Sequence, residues 1–245
     1  MNSGLYAALT GAVTSMQRLD TIANNLANVN TAGFKKDKIS FESLLNATST
    51  PVANKLTDDP VFAGELHSTD FSQGPHRQTG NPLDVALEGE GFFVVNTPQG
   101  RGYTRQGSLQ RGSGGQLVTA NGFEVLGNGA PIAIPQNAAR IDIDGRGGVY
   151  ADGIQVGAID LVDFAKPYAL QKQGNGIFLP ADANTAPQAA VNARVAQGYL
   201  EESNVSTISE MVQMIETNRH YEACTRVIRS FDDITGKAVN DLGKV

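Results

Sequence analysis

Residues 5–34 read LYAALTGAVTSMQRLDTIANNLANVNTAGF, and the order of apolar and polar side chains in this stretch decides the fold. Leu5, Leu9, Ala12, Met16, Leu19, Ala23 and Leu26 recur at alternating spacings of 4 and 3. On a helix that period draws one continuous seam. On a strand it would scatter the same side chains over both faces, so a strand is excluded. Arg18 and Asp20 are the only charged side chains before Lys35. A helix over 5–28 would be ~36 Å long, and the Asn- and Gly-containing run 28–33 supplies its stop.

The other end of the chain carries a second long helical pattern over 204–242. Val205, Ile208, Val212 and Ile215 form one stripe. Tyr221, Cys224, Ile228, Phe231, Ala238 and Leu242 form another, with the phase shifted near Asn218. Ser203 or Asn204 is the expected N-cap, and such a helix would reach ~55–60 Å. Between the two ends the pattern changes. Short β-prone runs at 83–87, 92–95, 116–119, 123–126, 132–134, 141–143, 159–164 and 177–179 alternate with turn signals, among them Asn121-Gly122, Asn128-Gly129, Asp144-Gly145, Asp152-Gly153 and Asn175-Gly176. That rhythm predicts antiparallel hairpins. Asp152 sits in one of these turns, where a substitution is expected to change stability by only about 0.5 kcal/mol.

The expected fold class is therefore α+β. Residues 1–34 and 204–245 form a split, coiled-coil-like helical domain, 35–79 an extended connector, and 80–203 a central antiparallel β domain. Neither helix has a helical neighbour in sequence, so the two seams must meet each other or other copies of the chain.

Composition narrows the function. With 19 Lys and Arg against 25 Asp and Glu the net charge is −6, which argues against broad binding to nucleic acid or anionic lipid. A single cysteine, Cys224, excludes an internal disulfide or a cysteine-based zinc site. His67, His76 and His220 lack ligand spacing, so no metal or cofactor is expected. No apolar run approaches the ~20 residues of a membrane span. The N-terminal stretch lacks the basic start of a cleaved signal peptide. Nucleophile-elbow, phosphate-loop, dinucleotide and zinc-protease motifs are missing from the sequence, so no catalytic residue is assigned. Asp142-Ile-Asp144-Gly145 lacks the later ligands of a calcium loop and reads as a turn. A hydrolase hidden in the β domain would need convergent acids such as Asp84, Glu88, Asp142, Asp160 or Asp163.

Residues 22–34, IANNLANVNTAGF, resemble the signature of flagellar rod and hook proteins. Residues 79–93 (TGNPLDVALEGEGFF), 103–107 with 116–122, and 197–205 followed by 210–222 are similar to further stretches of that family, in family order across nearly the whole chain. Residues 69–75 and 161–164 are most like its proximal-rod members, with the distal-rod members close. His220 departs from the small residue usual there. The resemblance implies a non-enzymatic structural subunit of the basal-body rod, which polymerises into the drive shaft between motor and hook. It implies export through the flagellar type III apparatus without a cleaved signal, and a place in the periplasmic rod. Its partners would be copies of itself and other rod proteins, with no nucleic acid and no integral membrane segment. The expected assembly interface comprises Leu5, Leu9, Met16, Leu19, Asn24, Asn25, Leu26, Asn28, Gly33 and Phe34, with Ile208, Val212, Ile215, Tyr221, Ile228 and Phe231. A secreted, non-flagellar adhesion protein with helical ends is the alternative.

Overall fold

The N-terminal seam folds as helix α1 (Asn2–Ala27), and the C-terminal pattern as helix α2 (Thr207–Leu242). The computed structural model describes residues 2–41, 65–182 and 185–242. Two units divide the chain. The first takes residues 1–28, 36–70 and 205–245; the second takes 29–35 and 71–204. α1 ends where the Asn28 amide reaches back to the carbonyls of Asn24 and Asn25. α2 starts later than expected. The Glu210 amide bonds the Ser206 carbonyl at 3.0 Å, which makes Ser206 the cap position rather than Ser203 or Asn204. Asn204 instead donates its side-chain amide to Ser72, within the second unit.

In the first unit the strand Asp37–Phe41 pairs antiparallel with Glu65–Thr69, two segments expected to be connector. The intervening residues 42–64 lie outside those described.

The second unit is built on antiparallel sheets. Its largest runs from Leu170–Gly174 through Ile177–Pro180, Gly100–Thr104, Phe92–Thr97, Glu124–Gly127 and Leu117–Thr119 to Leu109–Arg111. The strand Phe92–Thr97 explains the FFVV run, because it is buried on both faces. Phe93 and Val95 enter a core with Val85, Leu87, Leu117, Val125 and Ile177. Phe92 and Val94, one residue out of step, face Tyr103, Phe164 and Phe178. Period-two alternation places the two sets on opposite sides. The Ile132–Ile134 run forms no strand of its own, although both isoleucines are buried in the first core. Two strands that sequence reading missed, Arg194–Gln197 and Tyr199–Glu201, return the chain's C-terminal side to pair with Val85–Glu88 and His76–Gln78.

The turn chemistry is as read. Asn128, Asp152 and Asn175 all take positive φ, each followed by a glycine that does the same, as two-residue hairpin turns require. Asp144 also closes a turn. Its Oδ1 accepts from the amides of Arg146 and Gly148, each at 2.8 Å, and its Oδ2 from the Tyr150 hydroxyl at 3.3 Å. Burial pushes its carboxyl up, but these bonds together hold it below the usual carboxylate range. The contribution of Asp144 is therefore present above its unfolded-state pKa and lost on acidification.

Asp152 is not the neutral position its exposure suggests. Its Oδ1 accepts from the Arg140 amide at 2.8 Å and from the Ala139 amide at 3.1 Å, while its backbone sits at φ +50°. Asp152→Ala is expected to lose about 1–2 kcal/mol in urea unfolding. Gln155→Ala, at an exposed strand position, should stay within about 0.5 kcal/mol. Equal midpoints for the two variants would contradict this.

Candidate assembly site on the terminal helices

α1 and α2 pack antiparallel in the first unit. Gly4 lies against Phe231, Gly11 against Cys224, Ser15 against His220, and Asn25 against Glu210. The face that α1 turns inward is small. Ala8, Ala12, Ser15 and Ile22 are buried, and a Cβ on Gly11 would come 3.0 Å from Cys224 Sγ. Ser15 Oγ donates to the Gly11 carbonyl at 2.7 Å and also lies 2.9 Å from His220 Nδ1. With its single proton committed to the carbonyl, Ser15 accepts from His220, which places a proton on Nδ1.

The large side chains of the expected seam are elsewhere. Leu5, Leu9 and Met16 are 37%, 51% and 58% exposed. The seam divides into two rows: Ala12 is buried and Leu19 and Leu26 are half-buried, whereas Leu9, Met16 and Ala23 are exposed. The phase shift read near Asn218 marks a change of face along α2. Before it, Ile208, Val212 and Ile215 point outward, and Ile208 is 74% exposed. After it, Tyr221, Ile228 and Phe231 are half-buried.

The signature at the end of α1 proves to be mostly internal machinery. Asn25 is 2% exposed. Its Nδ2 donates to the Asp37 carbonyl and its Oδ1 accepts from the Asp37 amide, both at 2.9 Å. One side chain thus mimics a ladder partner and pins the start of a strand. Asn25 Nδ2 also lies 3.4 Å from Glu210 Oε2, and Glu210 pairs with Lys36 at 3.2 Å. Asn28 bonds the Asn24 carbonyl at 2.9 Å, and Asn24 is exposed.

Gly33 and Phe34 belong to the second unit, where a fully buried carboxylate organises its surroundings. Glu201 Oε1 receives Lys35 Nζ at 2.6 Å and the Gly74 amide at 2.9 Å, and Oε2 receives Arg105 Nη1 at 3.2 Å. Arg105 Nη2 goes on to the Gly89 carbonyl at 2.8 Å, and its guanidinium lies over the Phe92 ring. Gly33 donates its amide to the Glu201 carbonyl at 2.8 Å. Lys35, Lys36, Arg105, Glu201 and Glu210 were not anticipated. Glu210 could have been, since it shares the inward phase of Thr217, Cys224 and Ile228 and puts a carboxylate on a seam.

Four of the five acids weighed for a hydrolase are engaged separately, and Glu88 is exposed. Asp84 bonds Asn81, Asp142 pairs with Arg140, Asp160 caps the 128–129 turn, and Asp163 accepts from Tyr168. Among the described residues no group of three or more His, Cys, Asp or Glu could hold a metal ion, and no helix is long and apolar enough to cross a membrane.

Comparison with known proteins agrees with this layout. Residues 5–35 match the family described as flagella basal body rod protein. Residues 86–151 match the flagellar hook protein FlgE/F/G D1 domain, and residues 196–242 the flagellar basal body rod FlgEFG protein C-terminal family. The chain is 32% identical over 246 residues to the flagellar basal-body rod protein FlgF of Rhizobium meliloti (strain 1021), covering 99% of both. It is 34% identical over 251 residues to the FlgF of Caulobacter vibrioides, covering 100% of both. It is 35% identical over 264 residues to the flagellar basal-body rod protein FlgG of Borreliella burgdorferi, covering 98% of both.

Proposed function

The chain belongs to the flagellar basal-body rod protein family and is a structural, non-enzymatic subunit of that rod, and from this premise we propose how it is built in. It is a proximal-rod subunit that polymerises through the outward faces of α1 and α2, and the polymer carries torque from motor to hook. The proximal assignment is supported by alignment length. The FlgF relatives align over 246 and 251 residues against this chain's 245, whereas the FlgG relative spreads over 264. The chain leaves the cell interior through the type III export apparatus, with its export signal in the N-terminal segment, and takes its place in the periplasmic part of the rod. Its neighbours there are copies of itself and other rod proteins.

One observation carries the assembly reading. The first half of α1 meets α2 through small residues and leaves Leu5, Leu9 and Met16 in water, as the start of α2 leaves Ile208, Val212 and Ile215. A monomer has no use for such rows, and burial against neighbours removes their cost. Leu5, Leu9, Met16, Ile208, Val212 and Ile215 therefore form the contact surface. The half-buried Leu19, Leu26, Tyr221, Ile228 and Phe231 hold the pair together, Asn24 and Asn28 lie at its rim, and Asn25, Gly33 and Phe34 keep the signature loop in shape.

The test is complementation of a deletion strain with Met16→Glu and Ile208→Glu, singly and together. Both positions are exposed, so the purified variants should unfold within about 0.5 kcal/mol of the parent. Soft-agar motility should nevertheless fall to the level of the deletion, with the chain missing from isolated basal bodies. Full motility of the double variant at normal abundance would remove the basis of the proposal.

A further inference from the structure

A cleft of about 380 Å³ opens on the second unit, where the ladder of His76–Gln78 with Tyr199–Glu201 comes beside the strand Ile141–Ile143. That volume falls inside the roughly 300–1,000 Å³ of small-molecule sites. The cleft is remote in sequence from both terminal helices, and the assembly surface does not use it.

The main chain around the cleft is already engaged. The Gly80 amide donates to the Gly198 carbonyl at 3.1 Å, and the Gly198 amide to the Asp84 carbonyl at 2.7 Å. The Arg140 carbonyl accepts from the Asp152 amide at 2.9 Å. Gln197 Nε2 donates to the Pro82 carbonyl at 2.9 Å and to the Ile141 carbonyl at 3.0 Å, so one side chain ties the two rims together. An extended peptide entering as an added strand would find these backbone groups taken. What the cleft offers a ligand is side chains.

Those side chains both donate and accept. Gln197 has spent its two amide protons on the rims, which leaves Oε1 as an acceptor held in a fixed direction. Arg140 Nε lies 2.8 Å from Asp142 Oδ2 and 3.0 Å from Oδ1, so both terminal nitrogens of its guanidinium remain as donors. Gln78 and Tyr199 are register partners on neighbouring strands. The Gln78 amide and the Tyr199 hydroxyl can each donate and accept, and neither has a partner among the described residues. Gly80 keeps the space beside them open, since a Cβ there would meet nothing within 4 Å. Pro82, Ile141 and the Tyr199 ring add apolar surface.

Charge narrows the class of ligand. Arg140 and Asp142 are the only charged residues of the lining, and they cancel. A phosphate would be repelled by Asp142 and a cation by Arg140. A neutral molecule fits better when its hydroxyls donate and accept in turn and its C–H faces can lie on an aromatic ring. We propose that this cleft binds a short neutral saccharide. Asp142 is its only carboxylate, and glycoside hydrolysis ordinarily uses two, so the cleft holds a sugar without cleaving it. Its polar groups are open to water and exchange one hydrogen bond for another at small net gain, so the Kd is on the order of 1 mM.

Amide shifts of the purified full chain, titrated separately with the N-acetylglucosamine trisaccharide and with maltotriose to ~20 mM, test the site. At least one of the two sugars should give saturable shifts centred on residues 78–82, 139–142 and 197–199. Gln78→Ala with Arg140→Ala changes two exposed side chains. The double variant should keep its urea midpoint and bind at least ~10-fold more weakly. Tyr199→Phe removes a single oxygen and should weaken binding about 3-fold, which keeps the test open if the double variant unfolds. Gln110→Ala, exposed and outside the cleft, should bind like the parent. The proposal is overturned by non-saturating shifts with both sugars, by shifts centred elsewhere, or by unchanged affinity in the cleft variants. Larger shifts at the same residues with glycylglycine or inorganic phosphate overturn it in favour of a different ligand class. None of these outcomes bears on the rod reading, which is tested on the helices.

Discussion

Glu201→Ala is expected to give the largest loss of stability of any single truncation in the second unit. The carboxylate is wholly buried and is the shared partner of Lys35 and Arg105, which are 1% and 3% exposed. Removing it leaves two buried cations facing each other across a cavity. Breaking a buried ion cluster on one side costs about 3–5 kcal/mol, because the remaining charge is no longer compensated. The Gly74 amide also loses its acceptor. Against a typical stability of about 5–15 kcal/mol, this brings the unit close to unfolding. Urea denaturation of the purified chain measures it, and hydrogen exchange locates it. Protection should fall first at residues 29–35, 76–78 and 199–201. Glu201→Gln keeps two polar atoms of the same shape and should cost less. An alanine variant with an unchanged midpoint would show that the cluster contributes nothing net.

Gly33→Ala is expected to come next, by a different mechanism. Gly33 has φ +69°, a conformation that disfavours any L side chain by about 1–2 kcal/mol. In addition its Cβ would stand 2.5 Å from the Arg105 carbonyl carbon and 2.6 Å from the Gln106 nitrogen, both backbone atoms. Arg105 is held by Glu201 and the Gly89 carbonyl, so the obstacle cannot retreat without disturbing the buried cluster. Strain and clash together should exceed about 3 kcal/mol. Gly80 separates the two causes. It has φ +73° but nothing within 4 Å of its added Cβ, so Gly80→Ala should lose only about 1 kcal/mol. Equal losses at the two positions would mean that backbone strain alone matters and the close approach does not.

These two residues also mark how far sequence reading reaches. The glycine was visible as part of a helix stop and a family signature. Its reason was not, because the atoms it must avoid lie more than seventy positions away. Glu201 and Glu202 are adjacent and chemically identical, yet one is buried under two cations and the other forms a half-exposed pair with Arg77. No local pattern separates them, since the choice depends on which face of the strand Tyr199–Glu201 meets the returning N-terminal segment.

What the sequence determined by itself is everything governed by short-range geometry. The 4-and-3 spacing fixed α1, the Asn-Gly and Asp-Gly pairs fixed the hairpin turns, and the phase shift near Asn218 fixed a change of face along α2. Each follows from backbone period and φ preference, which act within a few residues. Tertiary structure decided which face of each helix turns inward. Both α1 faces are apolar, one small and one large, and hydrophobicity alone favours burying the large one. Close approach favours the small one, because Gly4 and Gly11 let Phe231 and Cys224 come within about 3 Å of where a side chain would begin. The first half of α1 thus packs on Gly4, Ala8, Gly11, Ala12 and Ser15, and its large Leu9 and Met16 are left for whatever lies outside the chain.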